Sequence, residues 1–293
     1  MKHIFSILLF ISAVTSYISG RTGTDSFEFE YFTSVGQFTS ASAFSFDAAG
    51  IPYVTDAAKN ELYKLDSYGN VLNYAGGYGW DAGYFDSPAD IFATMLNIYV
   101  ADKNNHRISV FDKDLNYLYM LNGRNERSDN TEESEFTYPA SVAVNTSGDY
   151  LVLDSGNKRI MKFDSRGNFL LMFGNYQSGK FQLNNPGRLA IAGQTIAVSD
   201  DSTVFLFDQY GNGLGSLSMP DAVTGLQAND NYLTVYNDSS VVIIDLNQGL
   251  RNGAVIKAVF DLKGNKIVSA VYRQENLFIL TMKEILVYSR KKG

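Results

Sequence analysis

Pro88-Ala89-Asp90-Ile91, then Ile98-Tyr99-Val100-Ala101-Asp102, then Asn105-His106-Arg107-Ile108 and Phe111-Asp112 form the stretch from which the architecture is read. A short β-branched and aromatic run ends on a carboxylate, a polar turn follows, and a second apolar run ends on another carboxylate. Runs of this length and residue type, bounded by Asn, Asp and Gly, are strands rather than helical turns.

The pattern recurs along the chain. Pro52-Tyr53-Val54-Thr55-Asp56, Tyr150-Leu151-Val152-Leu153-Asp154, Ile196-Ala197-Val198-Ser199-Asp200, Tyr232-Leu233-Thr234-Val235-Tyr236 and Leu277-Phe278-Ile279-Leu280-Thr281 align with the first run. The second run ends at Asp66, Asp112, Asp164, Asp208, Asp245 and Ser289, with successive spacings of 46, 52, 44, 37 and 44 residues. Another strand precedes each unit, at Phe44 to Asp47, Ile91 to Ala93, Ser141 to Val144, Leu189 to Ala192, Val223 to Ala228 and Val268 to Tyr272. Tyr68-Gly69-Asn70, Arg166-Gly167-Asn168 and Tyr210-Gly211-Asn212 supply tight turns into a fourth. Four short strands repeated six times at this period predict an all-β, six-bladed β-propeller of four-stranded antiparallel blades.

The ends of the repeat array complement each other. The sixth unit stops at Ser289 without an outer strand, while Phe27-Glu28-Phe29-Glu30-Tyr31 alternates apolar and polar residues and belongs to no unit. The N-terminal strand is therefore expected to pair into the sixth blade, with Phe27, Phe29 and Tyr31 facing inward. Closure in this way removes two exposed sheet edges.

Residues 1–20 are set aside as a signal peptide. Met1-Lys2-His3 is a basic start, Ile4 to Val14 is an apolar run of 11 residues, and cleavage is expected after Ser16 or Gly20. Such a run is too short to span a bilayer, so residues 21–293 are read as one exported domain, periplasmic or extracellular, with no membrane span. With 0 Cys, neither a disulfide, a thiol nucleophile nor a lipid-modified cysteine is available. The formal charge of −7 becomes −8 once Lys2 is removed, a balance that repels phosphate backbones and argues against a nucleic-acid ligand.

With its units aligned, the chain resembles the NHL-repeat family. The resemblance is carried by the stretch quoted first and by Pro139, Leu153-Asp154, Asn157-Lys158-Arg159-Ile160, Phe163-Asp164 and Phe173-Gly174. It is strong in units one to four and fades in units five and six. It implies a fold far more than an activity, because family members include binding domains, sensor ectodomains and one class of lyase. That lyase holds zinc with several histidines, and the chain has 2 His, one of them in the signal segment.

Asp56, Asp102, Asp154 and Asp200 recur with the repeat and read as acceptors for backbone N–H groups in the adjoining turns rather than as calcium ligands. Arg107 and Arg159 likewise read as packing and turn-bonding residues. Ligand-binding candidates are sought at one mouth of the central channel, where the connections between blades lie. Tyr78, Trp80 and Tyr84 stand on one glycine-rich connection, Arg124 on the next and Tyr176 on a third. Trp80 either contacts a ligand or packs between blades. Asp90, Ser141 and Arg188 occupy equivalent inner-strand positions; they either line the mouth together, or Asp90 and Arg188 neutralise each other.

No catalytic cluster and no cofactor is implied. The expected role is a binding scaffold for a protein, peptide or glycan. The alternative is a calcium-dependent, lactonase-like hydrolase, since other six-bladed propellers hold a metal at the channel centre, but that chemistry needs carboxylates and amides converging from several blades.

Overall fold

The computed structural model describes residues 28–122, 134–248, 255–262 and 264–291. The signal segment, Phe27 and Arg124 lie outside them. Strand β1 (Phe29–Val35) comes first. Blade 1 follows as β2 (Ala41–Phe46), β3 (Pro52–Asp56), β4 (Glu61–Leu65) and β5 (Val71–Gly76). Blade 2 is β6 (Pro88–Ala93), β7 (Asn97–Asp102), β8 (Arg107–Asp112) and β9 (Tyr117–Leu121). Blade 3 is β10 (Pro139–Val144), β11 (Tyr150–Asp154), β12 (Arg159–Phe163) and β13 (Phe169–Phe173). Blade 4 is β14 (Pro186–Ala192), β15 (Thr195–Asp200), β16 (Thr203–Phe207) and β17 (Gly213–Ser218). Blade 5 is β18 (Gly225–Asn229), β19 (Tyr232–Tyr236), β20 (Ser240–Asp245) and β21 (Val255–Val259). Blade 6 is β22 (Ser269–Arg273), β23 (Asn276–Leu280) and β24 (Ile285–Arg290), completed by β1 in the order β1-β24-β23-β22.

Inner strands β2, β6, β10, β14, β18 and β22 touch one another in sequence around the ring, and β22 returns to β2. The apolar core lies between blades. At the joint of blades 1 and 2, Tyr53, Leu62, Phe85, Ile98, Val100 and Phe111 pack together, and comparable clusters fill the other joints. Because the strands alternate in direction, two faces result. The connections between blades share one face with the turns joining second to third strands, and we call this the connection face. The remaining turns form the opposite, hairpin face.

The hairpin-face turns show how the sequence enforces the blade. Asp66 Oδ1 accepts the N–H groups of Tyr68 at 2.8 Å and Asn70 at 2.9 Å, and Asp112 Oδ1 accepts those of Asp114 at 2.8 Å and Asn116 at 2.9 Å. The side-chain amides of Asn70 and Asn116, then these backbone donors, hold both carboxyls below the usual carboxylate range. Gly69 is required twice over: its φ is +84°, and an added Cβ would lie 2.3 Å from the Gly36 nitrogen in the connection that closes the ring.

Ring closure follows the expected pairing but not the expected burial. Strand β1 runs antiparallel to β24 from Phe29↔Arg290 to Val35↔Ile285, with a bulge at Phe32. Phe29 meets Tyr272 edge-on at 6.1 Å, and Val35 packs into the joint of blades 6 and 1. Tyr31, expected to face inward, is 59% exposed and only leans on Tyr288, because the outermost strand has no further layer to cover its ring. Among the described residues, no helix is long and apolar enough to cross a membrane.

Deleting residues 28–34 should expose the β24 edge and the ring of Tyr272. The loss is about 3 kcal/mol from apolar cover, on the order of 10 °C in Tm for a domain of this size, measured by calorimetry; an unchanged Tm would show that closure lies elsewhere. The turn carboxylates give a pH dependence. Their lowered folded-state pKa contributes stability above the ordinary carboxylate pKa of about 4, and that stability is lost as pH falls through the folded value. The stability gap between the wild type and an Asp66→Asn/Asp112→Asn variant should therefore narrow below that pH in urea unfolding.

Candidate functional site

Each connection is fastened by the carboxylate that ends a second strand. Asp56 is fully buried and accepts the N–H groups of Thr39 at 2.6 Å and Ser40 at 3.1 Å. Asp102 accepts Asp86 N–H at 2.8 Å, Asp154 accepts Thr137 N–H at 3.0 Å, and Asp200 accepts Asn184 N–H at 2.9 Å. Burial pushes the Asp102 pKa up, against the pull of Asn105, the Asp86 N–H and Arg107. These carboxylates are structural acceptors. Among the described residues, no three His, Asp or Glu side chains are grouped to hold a metal ion.

At the connection from blade 1 to blade 2 the fastening extends to an arginine fork. The buried Arg107 donates Nε–H to Asp102 Oδ2 at 2.8 Å. Its terminal nitrogens reach the carbonyls of Trp80 at 2.7 Å, Asp81 at 3.0 Å and Tyr84 at 2.7 Å. Asn105 adds a bond to Gly79 O at 2.9 Å. Below, the fully buried Phe85 anchors the loop, and Gly76 permits it: a Cβ there would lie 2.5 Å from Asn60 O and 2.8 Å from the Phe85 ring. The backbone is thus fixed while the aromatic side chains point outward. Trp80 is 75% exposed and Tyr78 70%, so Trp80 does not pack between blades. Tyr84 is partly covered, its ring lying against Gly77 and Gly79.

Tyr176 is exposed on the connection from blade 3 to blade 4, and among the described residues its hydroxyl bonds only its neighbour, Gln177 Nε2 donating to it at 2.9 Å. It shares the face with Trp80 but sits on a different connection. His106 occupies a turn with φ 53°, and its Nδ1 accepts the Tyr138 N–H at 3.1 Å, so it holds a connection rather than activating a serine.

The structure does bring Asp90, Ser141 and Arg188 together in the channel. Bulges at the starts of β6, β10 and β14 turn these side chains inward. Arg188 Nη1 forms an ion pair with Asp90 Oδ1, and Nη2 donates to Ser42 O at 3.0 Å. Ser141 Oγ donates to Asp90 Oδ2, and Val142 N–H approaches the same oxygen at 3.3 Å. Burial pushes the Asp90 pKa up, while Arg188 and Ser141 pull it down. Mutual neutralisation is the arrangement found: four blades are tied across the channel by one charge pair.

Reading the sequence alone missed the other half of this network. Gln227 Nε2 donates to Phe44 O and to Ser269 Oγ, both at 2.7 Å, and the buried Tyr236 hydroxyl donates to Ser269 Oγ at 3.2 Å. Ser269 pairs with Leu280 as Asp90 pairs with Ala101, so its place in the repeat was a usable signal. A divalent cation does not fit this donor set. The single inner-strand carboxylate is already satisfied by a guanidinium, and the remaining groups are neutral hydroxyls, one amide and backbone carbonyls.

The NHL repeat model matches residues 85–111 and 136–163. The chain is 32% identical to the protein named brain tumor of Drosophila melanogaster over 47% of this chain and 13% of that one. It is 29% identical to human NHL repeat-containing protein 3 over 38% of this chain and 35% of that one. The chain thus spans well under half the length of either relative. In fold it is similar to a gluconolactonase from Xanthomonas campestris, with TM-score 0.63, 14% identity and 88% of each chain covered.

Arg107→Met should deprive the buried Asp102 of its countercharge and the loop carbonyls of Trp80, Asp81 and Tyr84 of their guanidinium donors, at a cost of about 3–5 kcal/mol. The expected outcome is a lower Tm together with faster hydrogen exchange confined to the loop from Gly77 to Asp86, with Arg107→Lys intermediate because it keeps the charge but loses the fork.

Proposed function

Taking the chain as a six-bladed β-propeller related to the NHL-repeat family and, in fold, to the gluconolactonase propellers, we propose that it is an exported recognition module. It binds a peptide, protein or glycan on the connection face, with Tyr78 and Trp80 as the central contacts. One observation carries this reading: two large aromatic rings stand in solvent on a loop whose backbone is held by the buried Arg107 fork. A rigid aromatic display gives contact area at little entropic cost, which is what an interface anchor requires. Basic-apolar residues 1–20 support export, and the acidic balance opposes a nucleic-acid partner.

The second reading, a calcium-dependent lactonase, is favoured by the likeness in fold to the gluconolactonase. It requires metal donors from several blades at the channel centre. Here Asp90 is committed to Arg188 and Ser141, and the position carries a cation already. The residues present do not match that chemistry.

The chain contains 1 Trp, so Trp80 is its own reporter. The free protein should show the red-shifted emission of a hydrated indole and strong acrylamide quenching. Titration with a peptide library and a glycan library should reveal ligands that blue-shift the emission and protect it. Trp80→Ala should then weaken binding by about 2 kcal/mol or more, some 30-fold in Kd. Protection by no ligand, together with calcium-dependent turnover of gluconolactone, would establish the hydrolase instead.

A further inference from the structure

The joint between blades 3 and 4 differs from that between blades 1 and 2 in a way that opens a second site, on the hairpin face. In the first joint Tyr53 is fully buried, and its hydroxyl donates to Lys113 O in the blade 2 turn at 2.8 Å. Beside it, Lys64 reaches Asp114 of the same turn at 2.6 Å. The joint is filled by a ring and its cation is answered by a carboxylate from across it.

Blade 3 repeats the frame with different residues. Immediately before the buried Val-x-Asp end of the second strand, Leu151 replaces Tyr53, and Lys162 stands where Lys64 stands. In the blade 4 turn, Gln209 and Tyr210 replace Lys113 and Asp114. The aliphatic side chain cannot fill the space of the phenol, and no carboxylate crosses the joint. Lys162 instead pairs with Asp149 of its own blade at 3.0 Å and donates to Gln209 O at 3.2 Å. An ammonium group has three protons, and these two contacts leave at least one uncommitted.

A cavity of ≈ 130 Å³ lies here, lined by Lys162, Thr146, Ser147, Gln194 and Gln209 over a floor that includes Leu151 and Ile196. The side-chain amides of Gln194 and Gln209 bond no other described residue. Lys162 is 7% exposed and lines the cavity, so little of its side chain meets bulk water. Amides, hydroxyls and one ammonium proton above an aliphatic floor complement a ring with hydroxyls on its edge and C–H groups on its face. The Lys162–Asp149 pair leaves the wall close to neutral, which disfavours an anion. We propose that this cavity binds a neutral, polyhydroxylated ring of monosaccharide size, in the place that the Tyr53 side chain occupies in the first joint. The site is independent of the Trp80 loop.

Saturation-transfer NMR with glucose, galactose, mannose and N-acetylglucosamine, backed by calorimetry, tests the proposal on the full chain. At least one sugar should bind saturably, in the millimolar range or tighter. Leu151→Tyr restores the first-joint residue and should abolish binding at unchanged Tm. Gln209→Ala and Gln194→Ala should each weaken binding several-fold and keep the test open if the tyrosine variant does not fold. Trp80→Ala should have no effect, so a failed connection-face reading leaves this result standing. Methyl glycosides distinguish the sources: their exclusion assigns a free sugar, their retention a terminal residue of a glycan. Absence of saturable binding for all four sugars, binding insensitive to all three cavity variants, or tighter binding of gluconate than of glucose would overturn the proposal.

Discussion

A buried carboxylate at the end of a second strand, accepting the backbone N–H groups of the connection from the previous blade, is the interaction on which the rest depends. Asp56, Asp102, Asp154 and Asp200 all do this. The joints between blades are otherwise filled mainly by apolar side chains, which supply cohesion without direction. The carboxylate adds direction, since it fixes where each connection enters and hence the tilt of the next inner strand. A charge in such a place is tolerable because both oxygens of each carboxylate accept hydrogen bonds, and in blades 2 and 3 Arg107 and Arg159 add a countercharge.

Blades 5 and 6 solve the same problem without the carboxylate. Tyr236 stands at the end of the second strand of blade 5, and its side chain turns into the channel to meet Ser269. The connection is held instead by backbone bonds, Val223 N–H to Asp201 O and Thr224 N–H to Tyr236 O, at 2.8 and 3.0 Å. In blade 6 Thr281 is buried and uses its hydroxyl within its own turn, bonding Glu284 O at 3.1 Å. The inner strands of these blades pair without the entry bulge found in blades 1 to 4, which links the bulge to the carboxylate.

What the sequence discloses follows from the range of the physics involved. Strand positions, the blade count and the Asp–Asn–Arg turns depend on neighbours within one repeat, and they were legible. The pairing of β1 with β24 was legible too, because an unfilled edge and an orphan strand imply each other. The exposure of Tyr31 was not, since alternation along a strand does not say whether a further layer exists to cover one side. Asp90, Ser141 and Arg188 could be placed at one level of the channel, but whether they stay open or close on each other depends on side-chain reach across the ring. Gln227 and Ser42 were missed for that reason: single polar residues in apolar strands look unremarkable until their partners, from distant repeats, are in view. The cavity between blades 3 and 4 becomes visible only when two joints are compared in space.

Closure by β1 has a consequence for how the molecule comes into being. Lys291 and Glu28, joined at 3.0 Å, are separated by 263 positions in the chain. Blades 1 to 5 are each made from consecutive strands, so they can form as the polypeptide emerges. The sixth cannot, because its outermost strand precedes blade 1 in the chain and its neighbour follows blade 5. The entropy of closing so long a loop is lost in one step, and it is recovered only when the last joint packs. The ring thus cannot close until β24 has been made, and until then β1 lacks the edge that it covers in the finished sixth blade.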